Sequence, residues 1–366
     1  MRFVLLFAPL LALTACNGDG DGTEDEPEIT GVGHFESEAD GPDGLTLPLS
    51  IWYPANPTES DDLASYAFGL NGTAYDDAPA AEGTFPIIVV SHGNGGARHA
   101  GATIYEQWAE GGYVVVSMDH IGNTYTDSPS QSEWVDIYIR RPGDIGASYQ
   151  AAVSLSDSDD SPISGIVDAE TVILAGHSTG GASVVLASGG TLDKATVLAA
   201  CAGSQLSGDA CTIAADTEGD TISLAPTGMP TPVANIAMAP LNSPLFSSNL
   251  DMGGATLVIV GTRDNVTPSR TNATPMYDTM PSPKALVTLQ EANHYVFATV
   301  CQIPGLGALL ADVADQCVDD AYMSEDEAVA ATGQIGLEFL DLHVKAKTEA
   351  DVSATASGFD VTFESE

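Results

Sequence analysis

Residues 176–180 read Gly-His-Ser-Thr-Gly, directly after the apolar run Thr171–Ala175 and ahead of the small, apolar stretch Gly181–Ala187. A strand that turns sharply into a helix at Gly-x-Ser-x-Gly presents its serine as a nucleophile. Small flanking residues let neighbouring backbone pass close to such a turn. The pentapeptide alone carries little, since a chain roughly one-tenth Gly and one-twelfth Ser produces about 0.3 such matches by chance. Its setting carries more: the preceding run suits a buried parallel strand, and the following one a helix packed tightly on a sheet. Ser178 is therefore the candidate nucleophile.

A serine hydroxyl attacks poorly at neutral pH without three kinds of help. It needs a base to take its proton, an acid to orient that base, and donors for the oxyanion that forms. One known chain order for these groups is serine, acid, histidine. Asp264 is the candidate acid, because the apolar run Ala255–Val260 breaks at Gly261 and Asp264 follows, where catalytic groups gather in open α/β sheets. Asp251 precedes that run and Asp119 precedes the serine, so both rank behind it. His294, beyond the apolar run Ala285–Leu289, is the candidate base. Of the other six histidines, His34 lies near the N-terminal tether, His92, His99, His120 and His177 precede the serine, and His343 sits in a C-terminal helical pattern. The oxyanion donors are expected to be the backbone N–H groups of Thr179 and Asn94. Asn94 lies in the Gly-rich stretch Ser91-His92-Gly93-Asn94-Gly95-Gly96 after an apolar run, with Gly95 as the alternative.

These groups need a sheet to hold them. Apolar runs at 85–91, 113–118, 171–175, 196–200, 255–260 and 285–289 alternate with helical patterns at 101–110, 140–154 and 324–346, which predicts an α/β fold with a mostly parallel central sheet flanked by helices. Residues 44–53 read as an early antiparallel strand and 55–83 as a polar insertion. The long connection 201–251 reads as a cap or lid, with a solvated surface loop as the alternative. The predicted organisation is a signal segment over 1–15, a tether over 16–28, one α/β domain over 29–347, and an acidic tail over 348–366.

The N-terminus carries Arg2, an apolar stretch too short to span a membrane, and then Leu13-Thr14-Ala15-Cys16. This pattern resembles a bacterial lipoprotein signal, in which Cys16 is acylated. The expected location is the cell envelope, lipid-anchored, or secreted. Ten Lys and Arg against 51 Asp and Glu give a net charge of −41, which argues against nucleic acids and anionic lipid surfaces as partners. The membrane is then reached only through Cys16. Cys201, Cys211, Cys301 and Cys317 make an even set in an exported chain, expected to form two disulfides. Of the three pairings, Cys201–Cys211 with Cys301–Cys317 is favoured because each closes a short loop. A zinc site is the alternative, without Cys-x-x-Cys spacing to support it.

The chain resembles the α/β-hydrolase family, and within it the predicted dienelactone hydrolases and the platelet-activating-factor acetylhydrolase-like esterases. The matching pieces are SHGNGG (91–96), GYVVVSMDH (112–120), RRPGDI (140–145), GHSTGG (176–181), GTRDNVTP (261–268) and NHYVF (293–297), in family order. The resemblance implies an α/β-hydrolase fold and hydrolysis of a small-molecule or lipid carboxylic ester through an acyl-enzyme on Ser178, with no cofactor. Dienelactone hydrolases carry cysteine at the position of Ser178, so ester chemistry is the expectation. Lipase, phospholipid acetylhydrolase or polyester (cutinase-like) activity is the nearest alternative, although Asn94 and His177 stand where cutinases have aromatic residues. A serine peptidase and a noncatalytic binding lipoprotein on the same fold are further alternatives.

Overall fold

The computed structural model describes residues 27–303, 317 and 321–366. The signal segment, Cys16 and most of the tether lie outside the described residues. The strands are β1 (Gly31–Asp40), β2 (Thr46–Ala55), β3 (Leu63–Ser65), β4 (Asn71–Asp76), β5 (Phe85–Ser91), β6 (Val114–Met118), β7 (Val167–His177), β8 (Thr191–Asp193), β9 (Thr221–Ser223), β10 (Ala234–Met238), β11 (Ala255–Gly261), β12 (Lys284–Leu289) and β13 (Val361–Ser365). The α-helices are α1 (Ala102–Glu110), α2 (Gln131–Ser156), α3 (Thr179–Ala187), α4 (Lys194–Ala202), α5 (Asp209–Asp216), α6 (Ala273–Thr279), α7 (Glu325–His343) and α8 (Val352–Ala356).

Eleven strands form one sheet in the order β13-β12-β11-β10-β7-β5-β6-β2-β1-β4-β3. The six from β12 to β6 run parallel, while β2 and β13 join their two ends antiparallel. The central strands are buried on both faces, as their unbroken Val, Ile and Leu content requires. Alternate residues of β5 serve opposite layers. Ile88 and Val90 pack with Trp108 of α1 and Phe339 of α7, whereas Ile87 and Val89 pack with Ile145 of α2 and Val184 of α3. The chain leaves β5 toward β6 on one side and leaves β7 toward β10 on the other. The crevice beyond the carboxyl ends of β5 and β7 is thus the topological switch point, where open α/β sheets place ligands.

Three sequence expectations are corrected. Residues 196–200 are not a strand but part of α4. Asp193 caps that helix by accepting from the Thr196 N–H at 2.7 Å, and its alanines favour a helix over the strand that Thr196 and Val197 suggest. The strand in question is β10, inside the stretch read as a 201–251 excursion. The true excursion ends before β10 and holds α4, α5 and the β8–β9 pair, packed on α2 and α3 through Leu192, Val197, Ala210 and Ile222. Residues 348–366 are folded rather than a tail: β13 pairs with β12, with Val361 and Phe363 turned to the core and Glu364 outward. Acidic residues on the outer face of an edge strand discourage further pairing, which reconciles the charge with the order.

Both disulfides form as Cys201–Cys211 and Cys301–Cys317. They fit an oxidising, exported environment. No described helix is long and apolar enough to cross a membrane.

Candidate active site

Ser178 ends β7 and opens α3 with φ 57° and ψ −118°. That conformation costs a non-glycine residue on the order of 1–3 kcal/mol, so the surroundings must enforce it. They do so through backbone: the Ser178 N–H donates to the Met238 carbonyl at 2.8 Å, and the Ser178 carbonyl accepts from Leu241 N–H at 3.0 Å. The glycines have specific steric roles. A methyl group on Gly180 would lie 1.9 Å from the Ser91 carbonyl oxygen, and one on Gly176 would lie 2.4 Å from the Gly180 carbonyl oxygen. The turn is therefore pressed directly onto the end of β5.

Asp264 and His294 come together across the loops after β11 and β12. The His294 Nδ1–H donates to Asp264 Oδ2 at 2.8 Å, which leaves its Nε2 with a free lone pair. Asp264 is fixed by further donors: Oδ1 accepts from the N–H groups of Val266 and Thr267 at 2.9 and 2.7 Å, and the Thr267 hydroxyl lies 2.9 Å from Oδ2. Burial pushes this carboxyl up, but the bonds from His294 and Thr267 outweigh it and hold the group below the usual carboxylate range. The Thr267 hydroxyl is also 3.0 Å from the Ala239 carbonyl, tying the acid's loop to the end of β10 beside the serine. His177 bonds through Nε2 to the His294 carbonyl at 2.9 Å, with ring centroids 4.6 Å apart. Burial, reinforced by His294, pushes His177 down to about 3, so it stays neutral and acts as a strut between the serine turn and the histidine loop.

The loop after β5 lies over the serine. A methyl on Gly93 would lie 3.4 Å from Ser178 Cβ and 3.1 Å from His177 Nδ1. Thr179 is buried at the N-terminus of α3, where helix N–H groups favour negative charge. Asn94 is exposed, and its Oδ1 accepts from Asn123 Nδ2 at 2.9 Å and from Trp134 Nε1 at 2.7 Å. Beneath the loop, buried Arg141 donates to the His92 carbonyl at 2.5 Å and to Asn123 Oδ1 at 2.6 Å. Burial pushes this guanidinium down to about 9. His120 Nε2 is 2.8 Å from Ser91 Oγ and His120 Nδ1 is 2.8 Å from Asp144 Oδ2, all three residues fully buried. This chain of serine, histidine and carboxylate has no solvent access and braces the end of β5. Burial pushes Asp144 up to about 6 and His120 well below the ordinary histidine value.

The structure brings together Ser178, Thr179, Asp264, His294 and the Asn94 loop at one end of the sheet. Of the two rival acids, Asp119 pairs with Arg98 at 2.5 Å, and Asp251 lies before β11 rather than beyond its carboxyl end. His343 packs its ring on Phe339 at 4.5 Å. Sequence reasoning missed Thr267, Asn123, Trp134 and Arg141. The only signal for them was charge inside the helical pattern RRPGDI and a hydroxyl three residues after Asp264. Chemically, an imidazole oriented by a carboxylate, at the same sheet end as a strained serine and tied to its turn through His177, is equipment for activating a hydroxyl for attack on a carbonyl.

No family model matches the chain, and a search of curated proteins finds no similar sequence.

Proposed function

We propose that the protein is a serine carboxylic ester hydrolase of the α/β-hydrolase family. The observation that carries this reading is the strained Ser178 turn with the Asp264–His294 pair tied to it through His177 and Thr267. In the proposed reaction, His294 Nε2 takes the Ser178 hydroxyl proton as Oγ attacks the ester carbonyl. The tetrahedral oxyanion is met by the N–H groups of Thr179 and Asn94. Asp264 stabilises the imidazolium through its Nδ1–H. Collapse expels the alcohol, which receives the proton from His294 and leaves an acyl-serine. Water, deprotonated by His294, then releases the acid and restores the serine. The residues supply every group this cycle needs, so no cofactor is invoked.

The six ordered segments resemble the family's esterase branch, and Ser178 directs the reading to ester rather than dienelactone chemistry. The exported setting suggested by the disulfides agrees with a protein held on the cell envelope through an acylated Cys16. Hydrolysis of p-nitrophenyl esters of increasing chain length tests the proposal. The expected result is turnover that falls by at least about 10⁴-fold in Ser178→Ala. Unchanged hydrolysis in the variant refutes it. Labelling cells with a palmitate analogue tests the anchor, with loss of label expected in Cys16→Ala.

A further inference from the structure

A second cluster of chemically capable side chains lies four strands away from Ser178, on the β1 side of the sheet. His34 and Glu36 are two residues apart on β1 and so share one face. His99, from the segment between β5 and α1, reaches the same point. One potential ligand atom from each of His34, Glu36 and His99 lies within 4.8 Å of the other two. Glu36 Oε1 is 2.7 Å from His99 Nε2 and 3.5 Å from His34 Nε2. Ser50, paired with Glu36 across β1 and β2, brings its Oγ to 2.6 Å from Glu36 Oε1 and 2.8 Å from His99 Nε2.

A buried nitrogen of this cluster has no partner. Asp76 Oδ1 lies 3.3 Å from His34 Nδ1, so Nε2 is the ring nitrogen left to face a ligand. That nitrogen is buried, has no hydrogen-bond partner, and faces Glu36. A proton or a metal ion between them satisfies both. The outer partners of His34 and Glu36 favour the metal, while His99 Nδ1 is buried without one. Metal-bound histidines donate their second N–H to a carboxylate, as His34 would to Asp76, and metal-bound carboxylates are themselves hydrogen-bonded, as Glu36 Oε2 is by Arg98 Nε at 2.8 Å. Arg98 also pairs with Asp119. Glu36, Asp76 and Asp119 against Arg98 leave two negative charges, which a divalent ion neutralises. The aromatic packing holds the rings: Trp52 sits 5.2 Å from His34, and Tyr66 stacks on His99 at 5.5 Å.

We propose that His34, Glu36 and His99, with Ser50 or water as a fourth ligand, bind a first-row divalent transition metal, zinc fitting the two-imidazole, one-carboxylate set. The three strands between β1 and β7 put this site roughly 19 Å from the serine turn at the usual strand spacing, so its role is structural. It would staple β1 to the segment that leads from Asn94 into α1.

The test is zinc titration of the full chain by calorimetry in excess Mg²⁺, which occupies the acidic surface, with metal content read by mass spectrometry and Co²⁺ absorption reporting geometry. The expected result is one equivalent of zinc and a raised Tm. Glu36→Gln and His99→Ala should each lose at least about 100-fold in affinity, and Asp76→Asn about 10- to 100-fold. Glu36 and Asp76 are half exposed, so their variants keep the fold even if His99→Ala does not. Ser178→Ala should bind zinc as the parent does, which separates this proposal from the hydrolase reading. Absence of stoichiometric zinc, or undiminished binding in Glu36→Gln, overturns it.

Discussion

Gly180→Ala sets local propensity against tertiary packing. Gly180 lies inside α3, where alanine is intrinsically favoured over glycine by about 1 kcal/mol. On propensity alone the variant gains stability. The structure predicts the reverse. The new methyl would sit 1.9 Å from the Ser91 carbonyl oxygen and 2.8 Å from that of His92. Carbon and oxygen need more than 3 Å, so α3 and the end of β5 must separate by about 1 Å or more. Overpacking of this kind costs about 1–3 kcal/mol, with backbone at the upper end. After the propensity gain is subtracted, a net loss of about 1–2 kcal/mol remains. The activity loss should be larger than the stability loss suggests. The displaced β5 end carries His92 and Gly93, and a methyl on Gly93 would lie 3.4 Å from Ser178 Cβ. A shift of about 1 Å at reacting groups costs about 100-fold in rate. Urea unfolding and p-nitrophenyl acetate kinetics measure both effects. Gly203→Ala, where the nearest outside atom is 3.4 Å from the added carbon, is the matched control and should stay within about 0.5 kcal/mol. Equal stability and equal kcat/KM in Gly180→Ala would refute the claim that α3 is pressed against the β5 carbonyls.

Three more outcomes follow from the same geometry. Asp264→Asn should lower kcat by about 10³- to 10⁴-fold, because an amide no longer requires the Nδ1–H tautomer of His294; ester kinetics across pH would measure this. Replacing Cys201 and Cys211 with serine should cost about 2–3 kcal/mol in urea unfolding, from the loop of 10 residues they close, with kcat unchanged because α4 and α5 pack on α2 and α3. Burial pushes Glu325 up to about 7 despite its bonds from the Cys301 and Gln302 N–H groups. A carboxyl raised on folding costs stability as pH climbs from its unfolded value near 4 to its folded value. Glu325→Gln should therefore gain relative to the parent between pH 5 and pH 8, by no more than about 3 kcal/mol in urea titrations at the two values.

The parts of the site that are local in sequence were legible there. A β-branched run followed by Gly-x-Ser-x-Gly specifies both the strand and the turn, and Asp264 and His294 each follow an unbroken apolar run. Long-range partners were not legible. Arg141 sits in a helical pattern that gives no hint of its carbonyl partners 49 residues earlier. The β10 strand, Ala-Asn-Ile-Ala-Met, is short and carries a buried Asn235, whose amide donates to the Gly253 carbonyl at 2.7 Å. Without that partner in view it reads as loop. Conversely, Val197 and Leu198 look like strand until the Asp193 cap is weighed. The Ser130 and Glu133 pair was a readable helix start, and α2 begins there, ahead of the expected residue 140. Order in the last 19 residues depends on β12 offering an edge, which composition does not reveal.

The central claim is that Ser178 is a nucleophile activated by His294. It is tested most directly by incubating the protein with a tagged alkyl phosphonate and locating the adduct by peptide mass spectrometry. The account predicts one equivalent of label, on Ser178, with ester hydrolysis lost in step, and no label in either Ser178→Ala or His294→Ala. Label on another residue, or hydrolysis that survives full labelling of Ser178, would contradict it.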